Sequence, residues 1–593
     1  MAASTTLLAK ICPPKSAIFR KDLLTGSNKL VNVQSRPAVA SRSALTTTEK
    51  QFNDVLYSTP LKKTSFDDHI AYTQKRELQH TVKKIKDILA RKSREADEVE
   101  ELIMVDMIQR LGLEHYFCKD IQAILERHYL KCCALEEGGG DDLHKVALRF
   151  RLLRQEGYNV SADSFTKFKD KDGKFRKELS GDTKGLMNLF EASRIGIQGE
   201  DILDEASKFS WEILETILKN AEEPEATIIG HTLGNPYLRS SPKLMAKSFL
   251  HSFEPSLKIL HNFKDTNAWT SQLQELARMD FNIAQVTHQS EINEVHRWWK
   301  KLNLTKEFKL ARDQPVKWHI WSLAALPNPT MKEERIELTK AISFIYLVDD
   351  IFDVYGTLEE LTLFTQAVNR WEYAIKGLPH SMRMCLKALQ DTTNEISHKI
   401  YIKHGWNPQT CLRKTWADLC NAFLVEAQWF ASGHLPSTEE YLKNGLLSSG
   451  MPVVAMHIFY LLGQGINSES VQLLNSFPDL VSSMATVLRL SDDLGSSKDE
   501  NQDGYDGSYI ECYTNEHKDR SAENAKDDLS GLISEAWRCL NKTRLSPSPF
   551  SADFVAACLN LTRLVPMMYN YDHNHRLPSL EKHMKSFLYE NIT

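Results

Sequence analysis

The sequence lacks the features that mark several common classes of protein. Its formal net charge is -5, and Lys and Arg are scattered, so it has no basic patch for nucleic acid. No apolar run approaches the length needed to span a bilayer, so we expect no membrane segment. A Walker-type phosphate loop and a kinase-like Gly-rich loop are both missing, which disfavours a nucleotide-dependent enzyme of either kind.

Cysteine is also scarce for a chain of this length. There are 10 cysteines in 593 residues, and none stands in a Cys-x-x-Cys pair. This usage excludes a disulfide scaffold and a usual zinc knuckle. We predict that the thiols are reduced and mostly buried.

The first 45 residues have few acids. They are rich in Ser, Thr, Ala, Lys and Arg, and Asp22 is the only acid before Glu49. They also lack the long apolar segment of a secretory signal. The composition predicts an organelle transit peptide over residues 1–45, with a plain disordered tail as the alternative. Either interpretation leaves this segment out of the fold.

Alternating strand-like patterns are scarce beyond Glu49, whereas helical patterns are frequent. Apolar residues recur at three and four positions, as in Val99, Leu102, Ile103 and Met107. We therefore predict an all-α protein with two helical domains, over residues 46–260 and 261–593. Periodicity alone does not indicate an enzyme.

An apolar helix that runs into three acids gives the first chemical signal. Asp349 and Asp353 are four residues apart, so a helix would place them on one face, with Asp350 beside them. Like charges at this spacing repel, and burial increases the cost. A hard cation such as Mg²⁺ would remove the conflict. The alternative is an acidic helix end exposed to water.

A second apolar segment carries another set of oxygen ligands. Asp492, Ser496 and Glu500 follow one another at four-residue spacing, which would form one stripe on a helix. A hydroxyl between two carboxylates suits Mg²⁺. Two such stripes, far apart in sequence, predict a metal site clamped from both sides of a helical bundle.

Arginines and aromatic residues accompany the two stripes. Arg312 lies upstream of the first and Arg489 one turn before Asp492, and guanidinium groups suit bidentate contact with phosphate. Together with the acids they indicate a diphosphate site. Aromatic faces attract cations, and ordinary core packing is the alternative for each aromatic residue nearby: Trp318, Trp321, Phe344, Tyr346, Phe352, Trp429 and Tyr569. The break at Gly450 would also free backbone carbonyls near a cation, or mark a plain helix end.

These motifs resemble those of the plant class I terpene synthases from about Glu49 to the C-terminus. The resemblance rests on DDIFDVYGTLEELTLFTQAVNRW, DDLGSSKDE, RWWKKLNL, GEDILDEA, EASRIGI and FTKFKDKDGKF, which occur in the expected order. It implies a C-terminal isoprenoid synthase helical bundle and an N-terminal α-barrel of the terpene-cyclase type. No DxDD acid motif is present, so protonation-initiated chemistry is not expected.

The resemblance also implies roles for single residues. Three Mg²⁺ ions, or Mn²⁺ in their place, would bind a prenyl diphosphate in a monomeric enzyme. Asp350 would support the first metal site from behind. Arg312 and Arg489 would hold diphosphate, Trp321 and Tyr569 would line the hydrocarbon pocket, and the metal ligands would be Asp349, Asp353, Asp492, Ser496 and Glu500.

Two departures from the family pattern bear on the product. Cyclising members carry a tandem-arginine motif followed by Trp near the mature N-terminus, but the first Trp here is Trp211. The usual RxR motif has Gln314 in place of its second Arg. Both departures resemble the subfamily that makes acyclic alcohols. Geranyl diphosphate would then give linalool by addition of water at C3, farnesyl diphosphate would give nerolidol, and a transit peptide favours linalool in plastids.

Three other interpretations stay open from the sequence. The chain could release an olefin or a cyclic terpene. It could be a chain-elongating prenyltransferase, which the asymmetric Asp/Ser/Glu second motif disfavours. A non-catalytic helical binding protein belongs to a different class, and the ligands at all five metal positions argue against it.

Overall fold

The computed structural model of the chain describes residues 68–95, 98–134, 142–263, 268–496, 507–572 and 577–592. All of them belong to one compact unit. The predicted transit peptide at 1–45 and the predicted ligand Glu500 lie outside the described residues.

Helices make up most of the described residues in the first half of the chain. In chain order they are α1 (Asp68–Glu95), α2 (Glu98–Arg110), α3 (Cys118–Cys133), α4 (Leu143–Gln155), α5 (Thr183–Ser193), α6 (Asp201–Leu218), α7 (Glu225–Gly234), α8 (Pro242–His251) and α9 (Phe253–His261). Short 3-10 helices occupy Glu114–Tyr116, Ala162–Phe168, Lys177–Gly181 and Tyr237–Arg239. Among the described residues the sole β pairing is an isolated bridge between Lys169 and Phe175.

Helices continue through the second half, which contains the predicted site. They are α10 (Ala268–Leu302), α11 (Leu304–Glu307), α12 (Pro315–Ala325), α13 (Lys332–Asp350), α14 (Leu358–Arg370), α15 (His380–His404), α16 (Gln409–Ser432), α17 (Thr438–Ser448), α18 (Met451–Leu462), α19 (Ser468–Asn475), α20 (Asp479–Ser496), α21 (Tyr509–Glu516), α22 (Ala522–Leu545), α23 (Ala552–Met568) and α24 (Pro578–Tyr589). A π-helical segment, Ile351–Tyr355, follows α13. The prediction of an all-α protein is confirmed.

The largest hydrophobic core draws on both halves of the chain. It extends from Leu78 on α1 to Ile592 after α24. The 35-residue helix α10 contacts α1, α13 and α24, so it joins early and late elements. The predicted boundary near residue 260 falls at the end of α9, and the division into domains 46–260 and 261–593 stays a prediction.

Side chains from two earlier helices bind the end of the last helix. Lys247 on α8 donates to the carbonyls of Ser586 and Glu590 at 3.0 and 2.7 Å. From α10, Gln285 donates to the Glu590 carbonyl at 3.2 Å, and Gln289 donates to the carbonyl of Leu588. The last carbonyls of a helix have no partner within it, and a cation there is favourable. These contacts therefore fix α24 in place.

Gly450 breaks the helix between α17 and α18, as its sequence context suggested. Its φ of 75° is a left-handed conformation, which side chains rarely adopt. A Cβ at this position would lie 2.8 Å from Cγ2 of Ile345 on α13. Only glycine lets the turn approach α13 so closely. The break therefore places the start of α18 beside α13, the helix that ends in the first acid motif.

One expectation about apolar runs was wrong. The stretch Thr438–Leu462 is long and apolar enough, by length and composition, to cross a membrane. Of its most apolar window, 78% is buried inside the protein. The stretch is also divided into α17 and α18, so it is a core element, and its hydropathy reflects burial on several sides.

The prediction that the cysteines are mostly buried was only partly right. Nine cysteines fall within the described residues, and all nine are free thiols. Cys118 and Cys133 are exposed, and the buried ones are Cys385, Cys420, Cys512 and Cys558.

Candidate active site

The first acidic motif lies where α13 changes into a π-helical turn. Asp349 and Asp350 are the last acids of α13, and Asp353 lies in the π segment. The sequence predicted one α-helical face, and the π turn is a local departure from it. Such turns are frequent at functional sites. Asp349 is half-buried and Asp350 is buried.

Arg312 is in direct contact with this motif. Its Nε donates to Asp350 at 2.7 Å, its backbone N–H donates to the same carboxylate at 2.8 Å, and its Nη2 donates to Asp349. Although burial alone would lower it, the charges of Asp350 and Asp349 hold the pKa of Arg312 well above its ordinary value. Burial raises the pKa of Asp350 to about 6. The structure thus joins three predicted site residues.

The second motif lies on the last turns of α20. Asp492 is half-buried, and Ser496 is buried with its hydroxyl donating to the Asp493 carbonyl at 3.1 Å. The neighbouring Asp493 points away into a buried polar cluster, where its carboxylate lies 2.8 Å from the hydroxyl of Tyr441 and accepts from the backbone N–H of Tyr509. Burial raises the pKa of Asp493 to about 7.

Arg489 is held by groups that the sequence did not single out. Its Nη2 donates to the hydroxyl of Ser448 at 2.6 Å and lies 3.7 Å from the carboxylate of Glu426. The Ser448 hydroxyl in turn donates to Glu426. A Cβ on Gly445 would lie 3.2 Å from the Arg489 Nε, so α17 contacts the guanidinium closely. A single Glu, Ser or Gly within a helical pattern carries no local signal of this role.

Three aromatic side chains, Trp321, Tyr346 and Tyr569, connect the two motifs, and we call them the aromatic wall. The Trp321 Nε1 donates to the Tyr346 hydroxyl at 3.0 Å, and the rings of Trp321 and Tyr569 lie 6.5 Å apart. The guanidinium of Arg312 lies 4.9 Å from the ring centre of Tyr346. Burial raises the pKa of Tyr346 to about 12, and the nearby charges of Asp349 and Asp492 contribute.

Other aromatic residues from the sequence analysis serve the core. Trp318 and Phe344 are fully buried and both contact Trp299, and Phe352 is buried against Phe423. Trp429 is half-buried on α16, with its ring 6.4 Å from that of His434. The alternative of core packing therefore accounts for Trp318, Phe344 and Phe352.

Gln314 precedes α12 and has a buried, unsatisfied side-chain oxygen. Its Oε1 has no hydrogen-bond partner. In the RxR motif of the sequence analysis, this position would carry the second arginine and so a second guanidinium. Here the chain offers a neutral amide two residues after Arg312.

Two other features lie apart from these residues. A cleft of about 200 Å³ is lined by residues of α8 to α10 and by Ile592, and no predicted site residue lines it. The nitrogens of His288 and His319 both lie 3.2 Å from one oxygen of buried Glu291. Arg335 donates to both oxygens of Glu291, so the cluster of Glu291 and the two histidines already contains a positive charge.

The donor atoms of the two motifs fit a hard divalent cation. Asp349, Asp353, Asp492 and Ser496 offer carboxylate and hydroxyl oxygens, which are the ligands Mg²⁺ prefers. Asp349 is balanced here by Arg312, so its charge has a partner when no cation is bound. Repulsion between the acids is thereby reduced.

Comparison with known families identifies both halves of the chain. Residues 51–233 match the family described as "Terpene synthase, N-terminal domain". Residues 300–539 match "Terpene synthase family, metal binding domain". The two matches cover more than half of the chain, and both acid motifs fall within the second. The chain belongs to the terpene synthase family.

Individual relatives support this assignment but differ in their products. An (E)-nerolidol synthase of Cannabis sativa is 47% identical, covering 86% of this chain and 92% of its own. A chloroplastic S-(+)-linalool synthase of Arabidopsis thaliana is 46% identical, with 86% and 87% covered. A chloroplastic tricyclene synthase of Antirrhinum majus is 43% identical, with 83% and 84% covered.

A solved structure confirms the fold. Isoprene synthase from grey poplar, in complex with three Mg²⁺ ions and dimethylallyl-S-thiolodiphosphate, has a TM-score of 0.80 and 33% identity. The match covers 89% of this chain and 99% of the other. The predicted combination of an isoprenoid synthase bundle with an N-terminal α-barrel domain is therefore confirmed.

Proposed function

We propose that this terpene synthase ionises geranyl diphosphate, and also farnesyl diphosphate, and adds water at C3. The products would be the acyclic tertiary alcohols linalool and nerolidol. One observation carries the proposal: two acid motifs, each beside an arginine, are connected by the aromatic wall. This arrangement offers charge for a diphosphate next to aromatic faces for an allylic cation.

The metal ligands would be Asp349, Asp353, Asp492, Ser496 and Glu500. When bound, Mg²⁺ (three ions, with Mn²⁺ as a substitute) supplies the positive charge that stabilises the departing diphosphate. Asp350, bonded to the side chain and backbone of Arg312, orients that arginine.

Arg312 and Arg489 would bind diphosphate oxygens on opposite sides. Their charge is fixed under all ordinary conditions, and each can present several N–H donors. Arg489 is positioned by Ser448 and Glu426, which leaves little freedom for its guanidinium. Preorganised donors of this kind stabilise a leaving anion without reorganisation.

The aromatic wall would hold the cation after the allylic C–O bond breaks. Ring faces attract positive charge. Trp321 is buried and Tyr346 and Tyr569 are half-buried, so the wall lines an apolar interior surface. Bulk water excluded from such a surface cannot quench the cation at random.

Two sequence features support an acyclic product: Gln314, and the lack of a tandem-arginine motif followed by Trp before Trp211. Without a second guanidinium at position 314, released diphosphate would be held less tightly. Retained diphosphate assists isomerisation to a conformer that can cyclise, so weaker retention favours early capture by water. The relatives named nerolidol and linalool synthases agree with this proposal.

A cyclic or olefinic product is the second candidate, and the tricyclene synthases among the relatives favour it. The catalytic residues proposed above would serve that reaction equally well. Only the fate of the cation differs.

Further proposals concern the whole chain. Residues 1–45 would be a plastid transit peptide, in keeping with the relatives named chloroplastic. Residues 46–260 and 261–593 would be an N-terminal and a catalytic domain. The enzyme would act as a monomer on a prenyl diphosphate, with no role for nucleic acid or a membrane.

Incubation of the full chain with each diphosphate tests the proposal. Geranyl and farnesyl diphosphate would be supplied separately, with Mg²⁺ or with chelator, and volatile products analysed by chiral gas chromatography–mass spectrometry. Linalool and nerolidol formed only with Mg²⁺ are the expected result. Cyclic terpenes or olefins without alcohol would favour the second candidate, and no turnover of either substrate would contradict the proposed substrates.

A further inference from the structure

Tyr346 is the polar member of the aromatic wall closest in sequence to the first acid motif. It lies on α13 one turn before Asp349, so a helix places both on one face. Its neighbours Phe344, Leu347 and Val348 are buried, whereas Tyr346 is half-buried. The residue therefore presents part of its surface to the interior of the site.

Two contacts fix the Tyr346 side chain. The Trp321 Nε1 donates to its hydroxyl oxygen at 3.0 Å. The Arg312 guanidinium lies 4.9 Å from its ring centre, and the Nη2 of that residue lies 3.4 Å from the Tyr346 carbonyl oxygen. Trp321, on α12, and Arg312, just before α12, thus hold the Tyr346 side chain in a fixed position.

The hydroxyl keeps hydrogen-bonding capacity after these contacts. A phenol oxygen has two acceptor positions and one donor. The bond from Trp321 uses one acceptor position, because an indole N–H can only donate. One acceptor position and the phenol proton remain for a further partner. A neutral hydroxyl that is fixed by one neighbour and keeps both an acceptor position and its proton can hydrogen-bond a water molecule.

We propose that the Tyr346 hydroxyl positions the water that adds to C3, and so selects the alcohol over the olefin. This inference rests on the proposed function. The water donates one hydrogen bond to Tyr346, which leaves a lone pair on its oxygen directed at the cation. Trp321 acts through Tyr346 by fixing the hydroxyl.

The reaction balances without an oxidant or reductant. The C1–O bond breaks and both electrons leave with diphosphate. The water oxygen forms a bond to C3, and the proton it then loses goes to the diphosphate oxygen. Tyr346 neither gains nor loses a proton. If no water is placed, the cation loses a proton from a carbon next to C3 to the same diphosphate, which gives an acyclic olefin.

Tyr346→Phe tests the inference, because it keeps the ring and removes the hydroxyl. Full-length protein with geranyl diphosphate and Mg²⁺ would be assayed in ¹⁸O-labelled water, so that alcohol formed by water capture carries the label. The measured quantity is the ratio of labelled linalool to acyclic olefin. We expect this ratio to fall about tenfold or more, as for loss of one positioned hydrogen bond.

Two companion variants sharpen the result. Trp321→Phe removes the N–H that fixes Tyr346 and should lower the same ratio by a smaller factor. Tyr569→Phe removes the other hydroxyl of the aromatic wall and should lower the ratio less than Tyr346→Phe does. The ratio compares fates of one cation, so it does not depend on how much active enzyme each preparation contains.

The outcomes separate this inference from the proposed function. An unchanged ratio in Tyr346→Phe, or a larger fall in Tyr569→Phe, would overturn the inference while the alcohol product stood. A wild-type enzyme that makes no alcohol would overturn the proposed product and the inference together. If Tyr346→Phe does not fold, as judged by circular dichroism, the ratio in Trp321→Phe decides instead.

Discussion

The guanidinium of Arg312 donates a hydrogen bond to the carboxylate of Asp349. A predicted diphosphate-binding arginine is therefore in direct contact with a predicted metal ligand. If Asp349 binds a cation through the oxygen that Arg312 contacts, this contact is exchanged for contacts with the cation and its diphosphate. Arg312 keeps two bonds to Asp350, so it stays in the site while it releases Asp349.

Asp349→Ala should lower kcat by roughly a thousandfold or more, because several kcal/mol of charge stabilisation depend on the bound metal. The melting temperature should change by no more than about 3 °C, since Asp349 is half-buried and Arg312 retains Asp350. Steady-state kinetics and thermal unfolding measure the two effects. Asp391→Ala, at an exposed position of α15 paired with Lys387, is the control and should leave both unchanged. Full activity in Asp349→Ala would contradict the metal assignment.

Metal removal should abolish turnover without unfolding the protein. The carboxylate of Asp349 is paired with Arg312, so loss of the cation leaves this acid balanced. We expect no product in chelator, recovery on addition of Mg²⁺, and recovery with Mn²⁺. Product formation and circular dichroism at the same chelator concentration would be compared. Turnover that persists after exhaustive chelation would refute the metal requirement.

Gly445→Ala should reduce activity while leaving stability intact or slightly raised. Alanine favours a helix over glycine by about 1 kcal/mol, but its Cβ would lie 3.2 Å from the Nε of Arg489 and displace the guanidinium. We expect kcat to fall by about tenfold. Gly531→Ala is the matched control, because it lies within α22 with nothing within 4 Å of the added Cβ. It should give the same stabilisation with unchanged kcat, and an equal loss of activity in both variants would argue against a role for Arg489.

Gln314→Arg should increase the share of cyclic products. The added guanidinium would retain diphosphate longer and give the cation time to isomerise. Product profiles from geranyl diphosphate provide the measurement. Gln314→Lys is a useful comparison, because a lysine adds the same charge without the bidentate geometry and should have a smaller effect. An unchanged profile in both variants would show that residue 314 does not determine the acyclic outcome.

His288 should lower the stability of the folded protein as the pH falls from about 7 to 5. Burial lowers the pKa of His288 to about 4, so the folded state holds it neutral while the unfolded chain protonates near 6.5. Its contribution is fully present above pH 6.5 and is lost as the pH falls through 4. The difference between pH 7 and 5 is on the order of 2 kcal/mol.

His288→Asn should remove this loss, so its melting temperature at pH 5 relative to pH 7 should be higher than that of the wild type. The exposed His434 provides the control, since His434→Asn should leave the dependence as it is in the wild type. The same slope in His288→Asn and the wild type would contradict the assignment.

The sequence predicted those parts of the molecule that depend on local pattern. Periodic apolar residues predicted the helices, and acids at four-residue spacing identified the ends of α13 and α20. The π turn at Ile351–Tyr355 was missed, because it depends on how the end of α13 packs and not on residue type. The role of Glu426 beside Arg489 was missed for a related reason, since the two residues are far apart in the chain and meet only when α16 and α20 fold together.

The aromatic residues also show what the sequence alone could not predict. Trp321 and Phe344 look alike in sequence, since each lies in an apolar helix near a motif. Phe344 is fully buried against Trp298 and Trp299, whereas Trp321 bonds to Tyr346 in the site. Which face of a helix meets the core and which meets the site is decided by neighbours that no local pattern reveals.

The contacts that Lys247 makes with the last carbonyls of α24 have a consequence for engineering. A shortened enzyme that kept only the half with the acid motifs would lose α8, and with it the ammonium group that neutralises the end of its own last helix. Lys247 of α8, in the first half of the chain, thus stabilises a helix in the half that contains the acid motifs. Attempts to shorten this protein should begin by replacing the contacts that Lys247 makes.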